Sequence, residues 1–121
     1  MAKKVIRMES NVELQDIPQQ APEAITAGDP QEKDHTYYTS EDETLSAGVW
    51  ESTAGTLEVE SYPVDEFCYV ISGSVVITNH EDNSREEFKA GEAFFIPKGT
   101  GLTWHVPEHI RKYYVIRGYA E

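Results

Sequence analysis

A chain of 121 residues has room for one domain and one core. Its 22 acidic and 10 basic side chains leave a formal charge of −12, shared evenly between residues 1–47 (ten acids, four bases) and 48–121 (twelve acids, six bases). That general negative charge disfavours a nucleic-acid backbone or an anionic membrane surface as partner. The single cysteine, Cys68, excludes an intrachain disulfide and a cysteine metal cluster. No stretch approaches the roughly 20 apolar residues of a membrane span, and the opening residues Met1 to Arg7 lack the apolar run of a signal peptide. A cytoplasmic protein is expected.

Residues 1–34 are polar and rich in Gln, Pro and acids, and an irregular arm is expected there. Val5–Ile6 and Val12–Leu14 are its candidates for short edge strands or for packing on a neighbour. From His35 the pattern becomes one of short strands and breaks, so residues 35–121 are read as one barrel domain. Strands are expected at Tyr37–Thr39, Ala47–Thr53, Thr56–Tyr62, Glu66–Ile71, Val75–Thr78, Glu86–Lys89, Ala93–Ile96, Leu102–Val106 and Ile110–Arg117. Breaks fall at Ala54–Gly55, Pro63–Asp65, Ser72–Gly73, the polar tip His80–Ser84, Ala90–Gly91 and Pro97. No stretch after residue 35 has a helical period, which argues for an all-β sandwich or closed barrel.

Two glycine-punctuated motifs carry the finer reading. The first runs from Glu60 through Tyr62 and Glu66 to Gly73; the second runs from Gly91 through Pro97 to Gly99, with seventeen residues between Gly73 and Gly91. Glycine supplies the positive φ of tight turns, and proline ends a strand by removing a ladder donor. This ordered set resembles the two signature motifs of the cupins. Gly48–Glu51, Asp65–Val70, Phe95–Gly99, Trp104 and Arg111–Ile116 make it similar to the ureidoglycine aminohydrolase-type cupins, a branch related to the ethanolamine-utilisation cupin.

The resemblance covers about residues 35–118. It implies a double-stranded β-helix, the cupin jelly-roll barrel of two packed antiparallel sheets, and commonly a homodimer. It also implies a ligand set of Glu, His and His from the first motif and Gln from the second. Here those positions read Glu60, Tyr62, Glu66 and Leu102. With no imidazole, a bound metal is not expected; Mn, Zn or Fe is the alternative that the family suggests.

Strand parity places Leu57 and Val59 on one face and Glu58, Glu60 and Tyr62 on the other. If Glu60 and Glu66 both face the barrel, their like charges and burial raise one carboxyl pKa towards neutrality. Glu60, Glu66 and Tyr62 are therefore the candidate catalytic residues, for metal-independent acid/base chemistry at an amide, ureido or carbonyl carbon. The alternatives are a metal-dependent aminohydrolase, lyase or isomerase, and a non-catalytic binding or regulatory module for a small molecule.

Trp104 shares parity with Leu102 and is expected to wall the pocket, with Trp50 as a second wall. Lys112 and Tyr114 are candidate ligand contacts, although parity leaves open whether they or Arg111 and Tyr113 face inward. His105 is expected on the opposite face from Trp104, and His80 and His109 in solvent; His35 cannot be placed. Cys68 shares the face of Glu66 and is read as a small buried hydrophobe.

Overall fold

The computed structural model describes residues 3–118. It contains β1 (Gln15–Ile17), a 3-10 turn (Pro22–Ala24), β2 (Ile25–Gly28), β3 (Glu32–Thr39), β4 (Leu45–Val59), β5 (Asp65–Asn79), β6 (Arg85–Lys89), β7 (Ala93–Ile96) and β8 (Leu102–Arg117). All pairings are antiparallel.

Six of the expected strands fuse into three. Gly55, Gly73 and Pro107 sit where β4, β5 and β8 change register, so the ladder bends there without ending. Each long strand thus serves two sheets. One sheet joins β1, β3, the first half of β4, the second half of β8, the first half of β5 and β7. The other joins β2, the second half of β4, the first half of β8, the second half of β5 and β6. The result is the expected all-β jelly roll.

The core fills the space between the sheets with Val70, Val75, Ile77, Ile96, Leu102, Trp104, Val106 and Ile110. Leu57 and Val59 pack against it, while Glu58 turns outward to Thr103 and His80. The facing of the second half of β4 is therefore the reverse of the expected one, because burying two aliphatic side chains outweighs burying two carboxylates.

Residues 1–34 depart from the irregular arm expected of them. They hold β1, the 3-10 turn, β2 and the start of β3. Met8 to Val12 run across the outer sheet face, where Tyr113 donates to the Met8 carbonyl at 2.6 Å and Arg111 donates to the Ser10 carbonyl. The next residues cross the open end of the barrel and roof it. Val5 and Ile6 form no strand and are exposed.

Gly73 has φ of +76°, and a Cβ there would lie 2.0 Å from the His109 carbonyl oxygen. Gly73→Ala is expected to destabilise the fold by about 1–3 kcal/mol from backbone strain alone, with the clash added. Urea denaturation at constant m-value measures it.

Candidate functional site

Alternation along three central strands brings the inward side chains to one place. On β5, Glu66, Cys68 and Val70 are buried while Phe67 and Tyr69 are exposed. On β8, Ile110, Lys112 and Tyr114 face inward, which settles the open question of that strand. Arg111 and Tyr113 lie on the outer face, under the N-terminal arm. Trp50 and Ser52 supply the inward face of β4.

Lys112 and Glu66 are each 4% exposed and form an ion pair through Nζ and Oε2. Lys112 also donates to the Cys68 Sγ at 3.3 Å, and the Tyr62 hydroxyl donates to the other oxygen of Glu66 at 2.5 Å. Around the ammonium stand the rings of Trp50, Trp104 and Tyr114, at 5.0, 5.7 and 5.8 Å from Nζ. Opposite charge and aromatic faces both favour the charged lysine.

The electrostatics follow. Burial pushes the Glu66 carboxyl up, but the Lys112 ammonium and the bonds from Lys112 and Tyr62 outweigh it, so the group ends below its usual value. Burial pulls Lys112 down, and the Glu66 charge more than reverses it. Burial, followed by the neighbouring Glu66 charge, raises Tyr62, and burial pushes the Cys68 thiol up to about 12. Near neutral pH the cluster is a carboxylate, an ammonium, a phenol and a thiol. The expected pair of like-charged carboxylates with one raised pKa does not form.

Glu60 is the reason. It is exposed at the rim of the cavity, on the outward side that Glu58 also takes, and after Val59 the chain bends. The same bend brings Tyr62 inward. Its amide donates to the Thr100 carbonyl at 2.9 Å, and the Gly99 amide donates to its carbonyl at 2.8 Å. The second motif thus holds the first in place.

Above the cluster lies a cavity of about 960 Å³. Trp50 and Trp104 form its walls, edge to face with ring centroids 6.2 Å apart. Tyr114 also lines it, and its hydroxyl meets the Thr36 hydroxyl at 3.1 Å. Ile17, Gln20, Ala21 and Ala24 form the roof. Sequence reasoning missed the wall given by β3, where Glu32, Asp34 and Thr36 line the cavity. Their spacing of two was visible, but Glu32 and Asp34 fell inside the expected arm. Glu32 accepts from the Trp50 indole at 2.9 Å and from the Gln20 backbone N–H at 3.0 Å, which ties the roof to the wall.

The histidines lie away from this cluster. His105 bonds Thr56 at 2.8 Å on the opposite sheet face, His80 lies 3.5 Å from Glu58, and exposed His109 meets Ser72 at 3.3 Å. His35 stacks edge-on against Tyr37. Leu102 is a core residue. Among the described residues no three His, Cys, Asp or Glu side chains gather to hold a metal. The Glu, His, His and Gln set that the resemblance implied is replaced here by Glu60, Tyr62, Glu66 and Leu102. Both Glu66 oxygens are engaged, and the Lys112 ammonium stands at the carboxylate, where a divalent cation would be repelled.

Comparison with known proteins agrees with this architecture. Residues 39–114 match the EutQ-like cupin domain, and the chain belongs to that family of the cupin superfamily. A crystal structure of a DUF861-family protein of unknown function from Pseudomonas syringae pv. tomato superposes with a TM-score of 0.84 at 22% identity, covering 90% of this chain and 46% of that one. This chain therefore spans about half the length of that protein. The EutQ protein of Clostridium difficile superposes with a TM-score of 0.60 at 27% identity, over 74% of this chain and 69% of its own. A cupin superfamily protein from Desulfitobacterium hafniense gives a TM-score of 0.60 at 15% identity, over 89% and 100%. No curated protein matches this chain. Among the described residues no helix is long and apolar enough to cross a membrane.

Breaking the buried pair from one side strands a charge. Lys112→Met is expected to cost about 3–5 kcal/mol, whereas Glu66→Leu/Lys112→Met together are expected near neutral or stabilising. The sign with pH is fixed by the shifts. The lowered Glu66 contributes stability that is full above about pH 4.3 and fades as pH falls through its folded value. The raised Lys112 contributes stability that is full below about pH 10.4 and fades only as pH rises through its folded value. Denaturant midpoints from pH 3 to 7 should fall less steeply on the acid side for the double variant.

Proposed function

We propose that this chain is a binding cupin that holds a small polar molecule in the barrel cavity against the Tyr62–Glu66–Lys112 cluster. The observation that carries the reading is the cavity itself: about 960 Å³, walled by two indoles, with a charged, fully hydrogen-bonded floor. Such a pocket has the size and the mixture of apolar walls and few polar groups that small-molecule sites share. The pre-paired floor needs no rearrangement to meet a ligand.

Acid/base conversion of an amide, ureido or carbonyl compound is the weaker form of the same proposal. Glu66 accepts from Tyr62, Lys112 and Cys68, Tyr62 spends its proton on Glu66, and the shifts of all four cluster residues lead away from neutral pH. A general base needs a pKa near working pH. The aminohydrolase activity of the metal-dependent cupins has less support still, since it rests on ligands that Tyr62, Glu66 and Leu102 replace.

Thermal unfolding in the presence of small ureido acids, amides, keto acids and amines tests the proposal. At least one class is expected to raise the melting midpoint with concentration, by an amount equivalent to about 2.7 kcal/mol at 100-fold excess over Kd. Trp50→Leu and Trp104→Leu should each remove most of that rise. A flat response to every class, or a rise untouched by both substitutions, contradicts the cavity as the binding site.

A further inference from the structure

We infer that the occupant of this cavity is an organic cation of the amine or guanidinium class, seated between the Glu32 and Asp34 carboxylates and the Trp50 indole. The inference rests on the proposal that the cavity binds a small molecule, and it names the ligand's charge.

Charge balance inside the cavity is the first argument. Among the described residues Lys112 is the one Lys, Arg or His side chain that lines it, and Glu66 already answers it. Glu58 turns out to Thr103 and His80. Glu23, Glu32, Asp34 and Glu60 remain. A concave, low-dielectric site lined by one sign of charge concentrates the opposite sign.

Glu32 is the second argument, and it points to a ligand more sharply. It is 8% exposed, and among the described residues no Lys, Arg or His stands within ion-pair reach of it. Its partners are two neutral donors, the Trp50 indole N–H and the Gln20 backbone N–H. A carboxylate offers about four acceptor positions, so two stay open. A buried charge without a counter-charge is costly unless something cationic answers it.

The surrounding surface completes the match. Strand alternation sets Asp34 on the same face as Glu32, and its pairing with Trp50 puts both beside the indole. The molecule already shows how this enclosure treats a cation: the Lys112 ammonium sits among the rings of Trp50, Trp104 and Tyr114 beside a carboxylate. A ligand ammonium or guanidinium would repeat that arrangement on the β3 side, with the indole face as its apolar contact.

Three compounds of one shape and three charges test this: benzylamine, benzyl alcohol and benzoate, titrated into the full chain at constant ionic strength. The readout is the indole N–H resonance of Trp50, assigned with Trp104→Phe. Benzylamine should shift it saturably and bind at least tenfold more tightly than benzyl alcohol, with benzoate weakest. Glu32→Gln and Asp34→Asn should each weaken benzylamine fivefold or more and leave benzyl alcohol within twofold; Asp34→Asn serves should Glu32→Gln not fold. Equal or tighter binding of benzoate or benzyl alcohol overturns the cationic ligand and leaves cavity binding standing. Benzylamine binding undiminished in both variants overturns it as well. Silence from all three compounds sinks this inference alone if the broader thermal panel has a binder, and both proposals if it has none.

Discussion

A carboxylate and an ammonium that are each 4% exposed can remain charged inside a barrel only by answering one another. Glu66 and Lys112 do so, and the site is arranged around that fact. Tyr62 closes the second oxygen of Glu66, and the Cys68 sulfur accepts a further hydrogen bond from Lys112. The aromatic rings supply the remaining contact to the ammonium. No buried side-chain donor or acceptor is left without a partner among the described residues. A network satisfied in this way is rigid, and rigidity at the floor is what a preformed pocket needs.

The long strands put the pair there. Because β4, β5 and β8 each bend from one sheet into the other, one end of the barrel is filled by aliphatic core and the other is left hollow. The N-terminal segment then roofs the hollow, held through Glu32 to Trp50. Barrel, floor and roof are therefore contributed by distant parts of the chain. A change in the roof reaches the wall through one carboxylate.

How much of this was legible depended on where the strand period held. The glycines at 73, 91 and 99 read as turn or bend positions, and all three have positive φ. Trp104 and Cys68 lay within unbroken alternation, and their faces came out as parity demands. Tyr62 did not, because a two-residue period cannot be carried past the end of β4 at Val59, whereas Glu60 stays on the outward side with Glu58. The facing of the second half of β8 was left open because over residues 111–114 each face carries one cation and one tyrosine at the same spacing, and the partner strands distinguish them. The β3 carboxylates were hidden by the proline-rich composition before them, which masked an alternation already begun at Glu32.

The consequence for chemistry is a change of character. Two carboxylates in one enclosure suggest a shared proton and a poised acid. A carboxylate facing an ammonium suggests a fixed dipole that orients a ligand without exchanging protons with it. The whole account depends on Lys112 being that ammonium. Nitrogen-15 NMR of the lysine side chains, with Lys112 assigned by substitution, measures its state directly. The account predicts a protonated, slowly exchanging Nζ that does not titrate below about pH 10.4, the ordinary lysine value. A neutral amine at pH 7, or an ammonium exchanging as fast as the surface lysines, would contradict it.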